Sequence, residues 1–367
     1  MIMSKINQLT DYMQENNLSM VFTDNPDTVA YYTNYFSDPH ERLLALVVFL
    51  DETVLLVPKL EENESRELSS ADRVIGYKDE ENPWQALQQI IKAQNVLVES
   101  VGIETDQLVV DRYYKLRGLL PAAVFHSITS EIQNQKVIKT TEEIDIMHEA
   151  GKLADRALEV GMSTLRTGVT ETEVVAAIEY DMKKQGVSDM SFDTMVLFGD
   201  HAASPHGTPG DRQLKPGELV LFDLGVVWKG YTSDVTRTVA YGDVDDDIKE
   251  IYSVVLKAQL SAQDNVRPGM TAEKLDESAR NVIEEAGHGD YFTHRLGHGL
   301  GQSVHEYPNI SPGSETVLKS GMCFSIEPGI YIENKAGIRI EDCVTLTDKG
   351  AVSFTSTSKE WTVIPVK

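Results

Sequence analysis

Four carboxylates and one histidine in the second half of the chain lie in sequence contexts that could hold metal ions. Asp223 lies in the apolar segment LVLFDLG, Asp234 follows in GYTSDVTRT, and Glu327 and Glu341 lie in FSIEPG and GIRIEDC. His298 lies between two glycines, which allow its ring and backbone to approach another group closely. A buried carboxylate must be paired, protonated or bound to a cation, because an isolated charge is costly in the protein interior.

Together these side chains would suit two divalent cations, because four negative ligands balance four positive charges. Two ions about 3.5–4 Å apart that share bridging carboxylates can activate water for attack on a polarised carbonyl. Oxygen-rich ligation with a single histidine favours manganese over zinc or cobalt. The alternative is that each acid is an ordinary structural residue, with Asp234, for example, paired to Arg237. The combination of contexts favours the metal site.

A weak internal repeat predicts that two halves of this region bring the acids together. The segment 166–170 and the helix after it recur 101 residues later, and the segment 215–225 recurs 104 residues later, so that Asp223 aligns with Glu327. We expect two similar halves about a pseudo-twofold axis, with a combined sheet and the helices on one side.

The first third of the chain instead alternates strand-like and helix-like segments, including a predicted hairpin over residues 43–57. No glycine-rich phosphate-binding motif follows these strands, so nucleotide binding is not expected. A capping box formed by Thr140 and Glu143 begins a long predicted helix. We therefore expect an α/β protein with a mixed-sheet N-terminal domain over residues 1–130 and a second, duplicated α+β domain over residues 131–367.

Composition excludes several classes of protein. The 367 residues, 41% hydrophobic and 25% charged, are typical of a soluble globular protein of about two domains. A net charge of −25 repels phosphate backbones and anionic membranes, so neither nucleic acid nor a membrane is an expected partner. The apolar run 43–50 is too short to span a bilayer, and the N-terminus has no signal-peptide core. Two cysteines without CxxC spacing favour a reducing compartment, and we expect the cytoplasm.

Seven segments carry a resemblance to one known family: SFDTMVLFG, SPHGTPGDR, FDLG, GYTSDVTRT, HRLGHGLGQSVHEYP, FSIEPGIYI and GIRIEDCV. Over essentially its whole length the chain resembles the creatinase/aminopeptidase "pita-bread" metallopeptidases, and within them the Xaa-Pro dipeptidases (prolidases). The resemblance implies a creatinase-like N-terminal domain and a pita-bread catalytic domain. It also implies two divalent ions, bridged by Asp234 and Glu341, and held by the set Asp223, Asp234, His298, Glu327 and Glu341.

The resemblance further implies roles for other residues. Glu327 would accept the proton of the attacking water as general base. His294 and His305 would donate to the developing oxyanion and the leaving nitrogen, or would position the substrate. His206, in the SPHG segment, would be a histidine on the substrate side. Each of these histidines could instead be a solvated loop residue.

Two arginines and one loop could determine the length of the peptide that the active site accepts. The C-terminal carboxylate of a dipeptide lies next to the scissile bond and favours a guanidinium partner, for which Arg295 and Arg339 are the candidates. Either could instead pair with a site acid. The polar segment 37–42, with His40, is either a plain connector or, by resemblance to dimeric prolidases, a loop that reaches the active site of a partner subunit in a homodimer.

The metal-ligand pattern, together with this resemblance, implies a metallodipeptidase that releases proline from Xaa-Pro. Three alternatives stay open: an aminopeptidase P that accepts longer Xaa-Pro peptides, a catalytically inactive binding protein that keeps the fold, and metal-independent hydrolysis of the creatinase type.

Overall fold

The computed structural model describes residues 5–94 and 96–367, and the chain divides into two compact units, Met1–Lys136 and Val137–Lys367. The domain boundary expected near residue 130 falls inside the helix Thr129–Val137. Tyr31 and Tyr32 donate to the backbone and side-chain oxygens of Gln135 at 2.7 and 2.8 Å, which ties this helix to the first unit.

The first unit is built on a mixed six-stranded sheet, in the order β4-β3-β2-β1-β5-β6. The predicted hairpin is formed by β2 and β3, with Val47 opposite Val54. Strand β1 pairs antiparallel with β2 and parallel with β5. The described strands are β1 (Met20–Thr23), β2 (Ala45–Val48), β3 (Thr53–Pro58), β4 (Arg73–Tyr77), β5 (Ser100–Ile103) and β6 (Val124–Ser127).

Helices flank this sheet, and two of them begin with an Asn-Pro pair. The side chains of Asn25 and Asn82 cap the first turn by accepting from the backbone nitrogens of Asp27 and Trp84 at 3.1 and 3.0 Å. The proline that follows each cap suits the first helical position, where no partner for a backbone N–H is needed. The described helices are α1 (Lys5–Glu15), α2 (Pro26–Thr33), α3 (Glu62–Leu68), α4 (Pro83–Ala93), α5 (Val110–Leu119) and α6 (Thr129–Val137).

The second unit combines four helices with a nine-stranded sheet and two small sheets. Its helices are α7 (Thr141–Thr164), α8 (Glu171–Lys184), α9 (Asp246–Asn265) and α10 (Ala272–Glu285). Its strands are β7 (Asp189–Met190), β8 (Met195–Phe198), β9 (Glu218–Leu224), β10 (Val226–Trp228), β11 (Tyr231–Thr232), β12 (Val235–Tyr241), β13 (Gly297–Gly299), β14 (Glu306–Ile310), β15 (Cys323–Ile326), β16 (Gly329–Ile332), β17 (Ala336–Arg339), β18 (Glu341–Thr347), β19 (Gly350–Ser353) and β20 (Val363–Ile364).

The large sheet has the symmetry that the sequence repeat predicts. Seven of its nine strands follow the order β14-β13-β15-β18-β12-β9-β8, while β19 pairs with β18 and β20 with β12. The antiparallel pair β12 and β18 joins one half to the other. Helices α8 and α10 are each 14 residues long and begin after the capping residues Thr170 and Thr271. Gly217 and Gly321, the matched glycines before β9 and β15, both have φ of +88°. The predicted pseudo-twofold α/β architecture is therefore confirmed.

A helix can cross a membrane only if it is both long and apolar. Within residues 5–94 and 96–367, no helix is both long enough and apolar enough to cross a bilayer.

Candidate metal centre and active-site cavity

The antiparallel strands of the large sheet bring the predicted ligands to one region. Thr236, near the start of β12, lies opposite Asp223 near the end of β9 and opposite Glu341 at the start of β18. Asp234 immediately precedes β12, and Glu327 immediately follows β15. Because neighbouring strands run in opposite directions, the end of one strand lies beside the start of the next. The four acids therefore meet although up to 118 residues separate them in sequence.

His298, in β13, completes the group. Its Nε2 lies 3.2 Å from Glu327 Oε1 and 3.7 Å from Asp234 Oδ2. Ligand atoms of Asp234, His298 and Glu341 all lie within 4.8 Å of one another. The backbone nitrogen of His298 donates to Ser325 Oγ at 3.0 Å, and that hydroxyl donates to Glu327 Oε1 at 3.0 Å. The Ser325 hydroxyl therefore fixes strand β13, which carries His298, relative to the carboxylate of Glu327.

The glycines that flank His298 are required by close packing. A Cβ on Gly297 would lie 2.0 Å from the carbonyl oxygen of Ser325, and one on Gly299 would lie 2.2 Å from that of Tyr307. No side chain fits either gap. The prediction that glycines allow a close approach here is correct, and the groups approached are the backbones of neighbouring strands.

The electrostatics of the group are those of a cation site. Burial, followed by the charges of neighbouring carboxylates, raises the pKa of Asp234 and of Glu341 well above their usual values. Burial also acts to raise the pKa of Glu327, but the hydrogen bond and charge of His298 bring it to about 2. In the described part of the chain, Asp223 Oδ1, Asp234 Oδ1 and Glu341 Oε1 are buried without a hydrogen-bond partner. Clustered carboxylates with free oxygen lone pairs fit divalent cations.

Arg339 is buried, 3% exposed, and contacts Asp223 directly and Glu341 through Thr236. Arg339 forms an ion pair with Asp223 through Nη2 and donates from Nη1 to the hydroxyl of Tyr331 at 2.7 Å. Its Nε donates to Thr236 Oγ1 at 3.1 Å, and Thr236 in turn donates to Glu341 Oε2 at 2.7 Å. All three guanidinium nitrogens thus have partners inside the protein. Arg339 therefore orients site acids in this structure.

Sequence reasoning did not single out Thr236 or Tyr331. The signal for Thr236 was available, because the period of two in a strand places it on the same face as Asp234. The same period sends Arg237 to the other face, where its Nη2 lies 2.7 Å from Asp342 Oδ1. The possible pair between Asp234 and Arg237 is therefore wrong. Tyr331 gave no comparable signal, because its partners come from other strands.

Two of the predicted histidines line the site as neutral rings. His294 lies between the carbonyl of the next residue, 2.7 Å from Nδ1, and the hydroxyl of Tyr331, 3.0 Å from Nε2. Burial lowers the pKa of His294. His305 packs edge-on against His298, with ring centroids 4.3 Å apart. Partial burial and the neighbouring His298 lower the pKa of His305 to about 4.

A cavity of about 630 Å³ opens beside these groups, which is within the usual size for a small-ligand site. It contains every predicted site residue of the second unit. His40 lies in the first unit, on an exposed turn, with its Nδ1 3.3 Å from Asp38 Oδ2. The cavity is lined by Phe192, Met195, Ser204, Pro205, His206, Asp223, Asp234, Thr293, His294, Arg295, His298, His305, Glu327, Arg339 and Glu341.

Comparisons with known proteins agree with this architecture. The chain is 45% identical over 365 residues to a Lactobacillus delbrueckii subsp. lactis protein named Xaa-Pro dipeptidase, covering 99% of each. Its fold matches the prolidase from Pyrococcus horikoshii OT3 with a TM-score of 0.89 and 35% identity, covering 97% of this chain and 99% of that one. It also matches the X-Pro aminopeptidase from Thermotoga maritima MSB8, with a TM-score of 0.87 and 27% identity, covering 96% and 100%. Residues 145–348 match metallopeptidase family M24 and residues 5–138 match the Creatinase/Prolidase N-terminal domain, so the chain belongs to the M24 metallopeptidases and carries the creatinase/prolidase N-terminal domain.

Proposed function

We propose that the chain is an Xaa-Pro dipeptidase that hydrolyses the bond before a C-terminal proline. The observation that carries the proposal is the convergence of four acids and a histidine on a cavity, with three buried carboxylate oxygens unpartnered among the described residues. Such a group is costly in a protein core unless a cation compensates it. The relative with 45% identity, named Xaa-Pro dipeptidase, supplies the substrate class.

Two divalent ions, with Mn²⁺ favoured over Zn²⁺ and Co²⁺, would be held by five residues. Four carboxylates and one imidazole form a ligand set of mainly hard oxygen donors. Bound there, such ions would polarise the scissile carbonyl and lower the pKa of a water molecule. The residues that would hold these ions are Asp223, Asp234, His298, Glu327 and Glu341.

Side chains of the protein would accept and donate the protons of the reaction. Glu327 is the proposed general base, the role that the resemblance to prolidases implies for it, because its carboxylate lies beside His298 at the cavity and could accept a proton from the attacking water. His294 and His305, with lowered pKa values, are neutral near pH 7. Neutral His305 can donate one N–H to a developing oxyanion or to the leaving nitrogen. Neutral His294 keeps its proton on Nδ1, which faces the carbonyl of Arg295, so we propose that it positions the substrate. His206, exposed at the cavity rim, is the proposed contact on the substrate side.

Arg295 is the better of the two proposed anchors for the substrate carboxylate. Its side chain is half-buried at the cavity, where Nη1 donates to Asn309 Oδ1. Arg339, by contrast, already donates to an acid and two hydroxyls of the site. A guanidinium with donors to spare can bind a carboxylate with two hydrogen bonds.

We also propose a cytoplasmic homodimer in which residues 1–130 supply the dimer contacts and a loop to the partner's active site. The loop would be the segment around His40, a residue that is exposed and has a positive φ of +52°. A reducing location is consistent with Cys323 and Cys343, which are both buried free thiols. Light scattering of the purified protein tests the dimer, and a monomeric mass would refute it.

Kinetics and metal analysis test the function. Purified protein loaded with Mn²⁺ is expected to cleave Xaa-Pro faster than Xaa-Pro-Xaa, and faster cleavage of the tripeptide would favour the aminopeptidase reading. The variant Asp234→Ala is expected to lose both bound metal and turnover. An inactive binding protein would show neither activity nor metal uptake. Activity that survives a chelator would indicate metal-independent hydrolysis.

A further inference from the structure

One buried carboxylate outside the cavity holds both ends of the segment that carries His206. Glu171, the first residue of α8, has a fully buried side chain. Its Oε1 accepts from the backbone nitrogen of Phe198 at 2.8 Å, and its Oε2 accepts from that of Gly210 at 2.9 Å. The ring of His201 makes a third contact, with Nδ1 2.8 and 3.0 Å from the two oxygens. Phe198 and Gly210 flank His206 in sequence, so one side chain closes the segment into a loop.

His206 occupies the tip of that loop. The backbone nitrogen of Gly207 donates to the carbonyl of Ser204 at 3.0 Å, which closes a tight turn with His206 inside it. The base of the loop is packed as closely as its ends. A Cβ on Gly337, in β17, would lie 1.7 Å from the carbonyl oxygen of Ala202. The loop therefore has a fixed base and an exposed tip at the cavity.

We propose that Glu171 is a positioning residue for the reaction, acting through His206. The inference rests on the proposed function, because it assigns Glu171 to the substrate side of the same site. An ionised carboxylate is the strongest available acceptor for several donors at once. A glutamine in its place has one acceptor oxygen and directs an NH₂ group at one of the backbone donors. Aspartate keeps the charge but is too short to reach both ends of the loop.

The test is a double-mutant cycle on kcat/KM for an Xaa-Pro dipeptide, with the protein loaded with Mn²⁺. Glu171→Gln and Glu171→Asp are each expected to lower kcat/KM by about 10- to 100-fold, the effect of displacing a contacting group by roughly 1 Å. In a His206→Ala background the same substitutions are expected to change kcat/KM by less than about threefold, because no ring remains to be positioned. In a His294→Ala background the full loss is expected to persist. Metal content should match the wild-type protein throughout.

Amide hydrogen exchange gives a second readout that does not depend on activity. Exchange of the amides in residues 199–210 is expected to be about tenfold faster in both Glu171 variants, since an unpinned loop opens more often. The matched control is Glu104→Gln, another buried carboxylate, which accepts from Thr28 Oγ1 at 2.9 Å in the first unit. This control is expected to leave kcat/KM within about twofold and the exchange of residues 199–210 unchanged.

Three results would overturn the inference: near wild-type kcat/KM in both Glu171 variants, an equal loss in the His206→Ala background, or unchanged exchange of residues 199–210. A wild-type protein that does not cleave Xaa-Pro would instead refute the proposed function, and hydrogen exchange would still report whether Glu171 holds the loop.

Discussion

The isosteric substitution Thr236→Val tests whether the support behind the metal centre controls cation affinity. The Thr236 side chain is completely buried, and its hydroxyl links the guanidinium of Arg339 to the carboxylate of Glu341. Valine has nearly the same shape, so the core packing is kept while both hydrogen bonds are lost. Glu341 Oε2 then loses the donor that fixes its rotamer.

The structure sets the size of the expected effect. Hydrogen bonds to charged groups contribute about 1.5–3 kcal/mol each, and the partners left behind are buried. Because two such bonds are lost, we expect the metal-free variant to lose about 3–6 kcal/mol of unfolding free energy. Loss of a partner that orients a ligand typically lowers metal affinity by about 10- to 100-fold, and we expect the Mn²⁺ affinity to fall within that range.

The assay is competition for Mn²⁺ against a chromophoric chelator, together with urea denaturation of the metal-free protein. Thr238→Val is the matched control: Thr238 is 1% exposed on the same strand, and among the described residues its hydroxyl bonds the backbone of Arg339, at 3.0 and 3.2 Å. This control should lose about 1–3 kcal/mol of unfolding free energy, but keep its Mn²⁺ affinity within about twofold. Equal affinities in wild type and Thr236→Val, or equal losses in the two variants, would refute the reasoning.

Three further predictions follow from other parts of the structure. Arg295→Met is expected to lower kcat/KM for Xaa-Pro by about 100-fold, or about 3 kcal/mol, but to spare Xaa-Pro amide, which lacks the carboxylate; equal losses would exclude Arg295 as the anchor. Burial raises the pKa of Glu104, so the protonated carboxyl stabilises the fold below the pKa of the unfolded state, and this stabilisation is lost as pH rises through the folded pKa. From pH 4.5 towards neutrality, the unfolding free energy of Glu104→Gln should therefore fall less than that of wild type. Parallel plots of unfolding free energy against pH for the two proteins would contradict this. Lys139 and Glu306 form a buried pair at 2.9 Å, with side chains 3% and 9% exposed, so Lys139→Met should cost about 3–5 kcal/mol in urea denaturation; an unchanged midpoint would show that the pair contributes nothing.

Local patterns in the sequence were enough to predict the architecture around the site. Matched segments offset by about 100 residues predicted the duplicated sheet, and with it the approach of Asp223 and Glu327. The capping box at Thr140 is present, with Glu143 Oε2 accepting from the backbone nitrogen of Thr140 at 2.7 Å. These features were readable because capping and the alternation of strand faces depend on residues only a few positions apart.

Tertiary structure alone decided which partner each buried polar group takes. Arg339 was a candidate for binding substrate until the packing of β17 against β9 and β12 brought it to Asp223, 116 residues away. Glu171 reads as an ordinary residue in the first turn of a helix, yet its carboxylate accepts from nitrogens 27 and 39 residues further along the chain. The sequence determined which residues face inward, since that follows from the period of a single element. The partners of these inward-facing residues were determined by the register between elements, because that register depends on the packing of the whole unit.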